Sequence, residues 1–203
     1  MPKEQKSKQT NMRTRIAAVA ARIMAADGIE DFAIAKRKAA RQLGAGDTHF
    51  LPNNDEIESE LRLYQSLYQR EEQRERILHL RTQALAAMEQ LADFKPYLTG
   101  PVLRGTAGRY ADIDLQVFAD SGKEVEIFLL NRNIPYKTSE LRHYSGNQER
   151  AVSVLSMDWG GAPVRVAVYS PDDERRSVKT SPSGKPLERA GLHAVRTLVA
   201  SSE

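Results

Sequence analysis

Asp112 and Asp114 lie one residue apart in the run Leu103-Arg104-Gly105-Thr106-Ala107-Gly108-Arg109-Tyr110-Ala111-Asp112-Ile113-Asp114-Leu115. The run reads as strand, glycine-containing turn, strand. Residues two apart on a strand project from one face, so both carboxylates share a side. Neighbouring carboxylates repel unless a cation sits between them. Hard divalent cations such as magnesium take oxygen ligands, and a two-metal phosphoryl-transfer site needs such a pair. Gly105 lets the backbone approach a phosphate closely. Backbone N–H groups and the Thr106 hydroxyl can then bind its oxygens. Arg104 and Arg109 can neutralise further charge, and Arg109 is the nearer to the acids in sequence.

The elements that must hold these groups follow from periodicity. Ile113, Leu115 and Val117 alternate with polar residues, which predicts a strand whose apolar side faces a core. Ser121 and Glu124 have capping-box spacing, and Val125, Phe128 and Leu129 share a helical face, predicting a helix over 121–132. Strands are expected near 136–144, 151–158 and 163–169. Trp159-Gly160-Gly161 supplies a tight turn between the last two. Residues 171–186 read as a loop, and 187–200 as a closing helix.

Residues 1–93 read as helical. Residues 1–11 are expected to form a disordered arm. Ile16, Val19, Ala20, Ile23 and Met24 fall on one helical face, which Gly28 ends. Asp31 caps a second helix that runs to about Leu43 and carries Lys36, Arg37, Lys38 and Arg41, before Gly44 and Gly46 break it. Asn53 and Asn54 open a third, with Asp55 and Glu56 in its first turn and Ile57, Leu61, Tyr64 and Tyr68 as its stripe. Gln69 to Arg76 contains no apolar residue. The region is thus one long helix with a solvated middle, or two helices with a break. The boundary is placed at 93/94, with helix 77–93 packing on the domain that follows, 94–203.

At the Gly105-Thr106 turn and Asp112-Ile113-Asp114 the chain resembles the nucleotidyltransferase superfamily typified by DNA polymerase beta and kanamycin nucleotidyltransferase. That pattern is a helix, a strand ending in Gly-Ser or Gly-Gly, then Asp-x-Asp or Asp-x-Glu on the next strand. The resemblance covers residues 77–170. Together with the helical reading of residues 1–93, it gives an expected α+β fold, a helical N-terminal region followed by a mixed β-sheet of nucleotidyltransferase type with flanking helices. It also implies transfer of a nucleoside monophosphate from a triphosphate such as ATP to an acceptor hydroxyl, assisted by two Mg2+ ions. Asp112 and Asp114 would be the metal ligands, and Gly105 and Thr106 would hold the β- and γ-phosphates. The third carboxylate of the pattern is not evident. Arg165 stands where it is expected, Glu126 qualifies only if 124–130 is a strand, and Asp158 is at a strand end. A domain lacking that acid would bind nucleotide as a regulatory module without efficient transfer.

A third class of function is nucleic-acid binding by the basic helix 31–43, through phosphate contacts. A solvated helix face accounts for the same residues, and the net charge of +3 is too small to establish such a partner. With no cysteine there is neither a disulfide nor a thiolate zinc site. His49, His79, His143 and His193 lack metal-ligand spacing. Ser183-Gly184-Lys185 lacks the upstream glycine of a P-loop. No apolar run approaches the roughly 18 residues of a membrane span, and residues 1–11 lack the apolar stretch of a secretory signal, so the expected location is the cytoplasm, with no membrane partner.

Overall fold

The computed structural model describes residues 2–45, 51–145, 148–176, 178–179 and 186–201. The chain forms two compact units, Met1–Arg74 with Thr106–Ala111, and Glu75–Gly105 with Asp112–Glu203. It is α+β: helices lead, and a mixed sheet with flanking helices follows.

In the first unit, α1 (Pro2–Asp27) packs against α2 (Phe32–Gln42) and α3 (Asn54–Tyr68). The expected arm 1–11 falls almost wholly within the bounds of α1. Lys, Glu and Gln there are good helix formers, and extending an existing helix is cheap once it is nucleated. Ile16, Ala20, Ile23 and Met24 are buried with Ala35, Ala39, Ala40, Ile57 and Leu61. Three alanines on α2 let its backbone approach α1 closely. Asp31 caps α2 through its side chain, which accepts from the N–H groups of Ala33 and Ile34. Asn53 and Glu56 form a reciprocal capping box at α3. The buried stripe of α3 continues through Gln65, whereas Tyr68 is 73% exposed. Tyr68 instead stacks on Tyr64 at 4.9 Å, the i, i+4 neighbour.

The polar stretch after Tyr68 resolves as a break. Gln69 leaves helical geometry at φ −135°, ψ 24°, and α4 (Arg70–Gln90) starts afresh. Residues 106–111 belong with the helices of the first unit. The Gln73 amide donates to the Ala107 carbonyl at 2.9 Å, and the Gln65 amide reaches the Thr106 carbonyl at 3.5 Å.

Among the described residues the second unit contains seven strands. These are β1 (Tyr97–Thr99), β2 (Ile113–Phe118), β3 (Lys137–Ser145), β4 (Gln148–Trp159), β5 (Ala162–Tyr169), β6 (Val178–Lys179) and β7 (Arg189–Gly191). They are ordered β6-β3-β4-β5-β2-β1-β7, and among the described residues only the β2–β5 pair is parallel. The Glu75–Gln90 part of α4 belongs to this unit, together with α5 (Gly100–Arg104), α6 (Gly122–Asn131) and α7 (Leu192–Ala200). Ile113, Leu115 and Val117 are buried on one face, in register with Val164, Val166 and Val168. The start of α6 lies on this face, because a Cβ at Gly122 would come 3.1 Å from Ser153.

Three expectations change. Leu103 and Arg104 are not strand: β1 ends at Thr99, and they form the last turn of α5. Pro101 near the helix start explains this, since its ring presets a helical φ and it has no N–H for a sheet ladder. Helix α6 forms as expected, but Ser121 makes no side-chain cap hydrogen bond. Apolar periodicity, with Val125 and Leu129 buried, suffices for it. The closing helix begins at Leu192, because 189–191 pair with β1 as an edge strand. The Gly160-Gly161 turn joins β4 to β5 as expected. Both residues have positive φ, +58° and +84°, the geometry that a two-residue hairpin requires.

Candidate active site

Asp112 immediately precedes β2, and Asp114 is the second residue of that strand. Alternation places both on the face opposite Ile113, Leu115 and Val117. Both carboxylates are half-buried. The backbone beneath them is tied on two sides. Thr99 pairs with Asp114 across β1–β2, and the Thr99 hydroxyl donates to the Asp114 carbonyl at 3.2 Å. On the other side Asp114 pairs with Arg165 across the parallel β2–β5 ladder.

Arg165 lies between the two acids. Its Nε donates to Asp114 Oδ1 at 2.9 Å and stands 3.3 Å from Asp112 Oδ2. Its Nη2 is 2.7 Å from Asp114 Oδ1. Burial pushes the Asp114 carboxyl above its ordinary pKa. Arg165 opposes that shift, Asp112 adds to it by repulsion, and Arg104 opposes it again. The two carboxylates thus share the Arg165 guanidinium, and Arg104 adds positive charge at Asp114.

Gly100 is the glycine that meets these acids. It follows β1 as the first residue of α5, has φ +71°, and a Cβ there would come within 2.6 Å of Asp114 Oδ2. Only glycine accommodates both the conformation and the approach. The sequence reading centred on Gly105 and passed over this residue. Yet a glycine at a strand end before the Asp-x-Asp strand describes Gly100, and Pro101 was the sign that the strand stopped there. Gly105, at φ +77°, is the left-handed C-cap of α5. Arg81 of α4 holds the same helix end, donating to the Leu103 carbonyl at 2.8 Å and the Val102 carbonyl at 3.2 Å. Arg81 too went unnoticed, since nothing in its neighbourhood in sequence marks it.

The other expected groups are dispersed. Arg104 is on α5, where its charge is felt at Asp114. Thr106 and Arg109 belong to the first unit, where Thr106 is buried and Arg109 is exposed. Glu126 is on a helix rather than a strand, so it offers no ligand from the sheet; its carboxylate accepts from the Tyr136 hydroxyl at 3.2 Å. Asp158 shares the sheet face of Asp112 and Asp114 but stands two strands from β2. Its Oδ1 caps the hairpin turn by accepting from the Gly161 N–H at 3.0 Å. Among the described residues no three His, Cys, Asp or Glu side chains gather as a metal site.

Asp112 and Asp114 are the residues that could hold a magnesium ion. This cation takes one or two protein carboxylates and completes its shell with water and substrate phosphate oxygens. Asp112 and Asp114 offer that pair on one face.

On α2, Lys36 donates to Asn54 Oδ1 at 2.8 Å and Lys38 pairs with Asp27 at 3.1 Å, while Arg37 and Arg41 are exposed. Half of the proposed basic contact residues thus have partners within their own unit. His143 is buried, with Nδ1 3.1 Å from the Arg150 carbonyl and its ring edge-on to Tyr169. His79 and His193 lie on helices α4 and α7. His49, Gly46 and Ser183-Gly184-Lys185 fall outside the described residues. No helix among the described residues is long and apolar enough to cross a membrane.

Comparison with protein-family models, curated proteins and solved structures finds no match for the chain.

Proposed function

We propose that the second unit is a magnesium-dependent domain of nucleotidyltransferase type, which binds a nucleoside triphosphate and transfers its nucleoside monophosphate to a hydroxyl acceptor. The supporting observation is the common face of Asp112 and Asp114, fixed by the β1–β2–β5 ladders and closed on one side by Gly100. Magnesium, when bound, would be held by these two carboxylates and would neutralise charge developing on the phosphate oxygens. The remaining work falls to the chain itself. The buried row Ile113, Leu115 and Val117 keeps the carboxylates from moving apart. Arg104 and Arg165 add positive charge beside the acids, where a polyphosphate would lie. Gly100 lets the Asp114 carboxylate lie close against the backbone.

The test is incubation of the full chain with labelled triphosphates, magnesium and a panel of RNA ends, protein hydroxyls and small alcohols. Label transfer that disappears in Asp112→Asn and Asp114→Asn supports the proposal. Transfer that persists in the double variant removes it.

Arg165 favours a second reading. Because it holds both acids and no third carboxylate joins them among the described residues, the domain would bind a triphosphate without turning it over. Calorimetry with a triphosphate and magnesium separates the two: heat of binding without product supports the regulatory module, and no binding removes both readings. The basic face of α2 gains no comparable support, since two of its four cations are already partnered.

A further inference from the structure

We propose that Arg165 is an exchangeable internal counter-ion, which competes with a divalent cation for Asp112 and Asp114 and passes to phosphate when a metal-bound triphosphate arrives. The inference rests on the triphosphate reading above and concerns how that site is regulated.

Two half-buried carboxylates on adjacent positions of one sheet face need positive charge. Arg165 supplies it from the neighbouring strand, in direct register with Asp114, and its Nε is shared between Asp112 Oδ2 at 3.3 Å and Asp114 Oδ1 at 2.9 Å. The guanidinium therefore stands in the space that a bridging cation would take. A divalent ion and a guanidinium cannot occupy it together, because like charges at that separation repel strongly in a partly desolvated setting. Displacement has a low barrier on the arginine side. Its side chain is 44% exposed, its stem is flexible, and its charged head can return to water. The backbone of β5 keeps the released group close to its former partners. There it meets the oxygens of a bound polyphosphate, with which arginine forms forked charge-assisted hydrogen bonds.

Two opposite effects follow. A bare divalent cation must displace Arg165 without compensation, so it binds poorly. A metal-bound triphosphate gives Arg165 a new partner, so it binds well. Arg165 thereby protects the acids from free metal and couples metal entry to substrate entry.

The experiment measures Mn2+ binding to the full chain by electron paramagnetic resonance, first alone and then with a non-hydrolysable triphosphate analogue. With Mn2+ alone, Arg165→Gln should bind about tenfold more tightly than the unaltered chain. The gain should vanish in Arg165→Gln combined with Asp114→Asn, and Arg165→Lys should fall between. Equal Mn2+ affinity with and without Arg165, or a gain that survives Asp114→Asn, overturns the competition. With the analogue present the order should reverse, Arg165→Gln holding the triphosphate about tenfold more weakly. An unchanged triphosphate affinity overturns the hand-over to phosphate. If no variant binds the analogue, the substrate reading falls and takes the hand-over with it, while the metal-only comparison still decides the competition. Circular dichroism of each variant confirms the fold, and the lysine variant keeps the comparison decisive if the glutamine variant unfolds.

Discussion

Asp114 and Arg165 face each other across the only parallel strand pair among the described residues, and Arg165 Nη2 lies 2.7 Å from Asp114 Oδ1. Register alone puts the two Cα atoms side by side, so the ion pair is built into the backbone ladder. Both side chains remain partly exposed, which limits what the pair adds to stability.

Asp114→Asn should accordingly change the unfolding free energy by no more than about 1 kcal/mol, since solvent screens the pair and the substitution also relieves a desolvated charge. Urea unfolding checks this. A loss of several kcal/mol would show that the acid is a structural strut and that loss of ligand binding in this variant cannot be read as a site effect.

Gly100→Ala and Gly44→Ala separate backbone strain from close approach. Both residues are left-handed, at φ +71° and +69°. Alanine should cost about 1–2 kcal/mol at each for conformation alone. Only at residue 100 does the new methyl meet a neighbour, Asp114 Oδ2 at 2.6 Å, whereas nothing lies within 4 Å at residue 44. The expected outcome is further destabilisation and loss of triphosphate binding for Gly100→Ala, with binding intact in Gly44→Ala. Equal behaviour of the two in denaturation and calorimetry would refute the close-approach role.

Asn53→Ala should weaken the helical unit by about 1 kcal/mol, because the side chain satisfies the Glu56 N–H at 2.8 Å at the start of α3. Glu56 answers by accepting from the Asn53 N–H at 2.6 Å, and it also receives the Arg13 guanidinium. Glu56→Gln keeps an oxygen for the Asn53 N–H and loses the charge facing the half-exposed Arg13, so it should cost less than Asn53→Ala in thermal unfolding.

Acid should destabilise the second unit through His143. Burial lowers its pKa below the ordinary 6.5, Asp173 and the Arg150 carbonyl oppose that, and the Arg150 charge reinforces it. The unfolded chain then binds the proton more readily than the folded one. Stability is complete above about pH 6.5 and declines as the pH falls below it. Tyr169, packed edge-on to His143, is itself pushed up to about 12 by burial and stays neutral throughout this range. Urea midpoints at pH 7.5 and 5.5 should differ less in His143→Gln than in the unaltered chain. A slope that is the same in both would assign the acid sensitivity elsewhere.

Much of the architecture was legible in local pattern. Alternation at Ile113, Leu115 and Val117 set which face of β2 is buried, and hence that Asp112 and Asp114 share the other. Helix periodicity located α1, α2, α3 and α6, and the two glycines after Trp159 marked the β4–β5 hairpin. These features depend on interactions between residues a few positions apart, which a linear reading contains.

Tertiary structure decided the rest, because strand pairing joins residues far apart in the chain. Only the parallel β2–β5 register brings Arg165, 51 residues beyond Asp114, onto the two acids. Only the β1–β2 pairing makes Gly100 the glycine beside Asp114, while Gly105 caps a short helix and Thr106 is buried in the other unit. Composition and spacing could supply two carboxylates on one face; the charge that answers them came from a separate strand, through backbone hydrogen bonds that carry no mark in either local sequence.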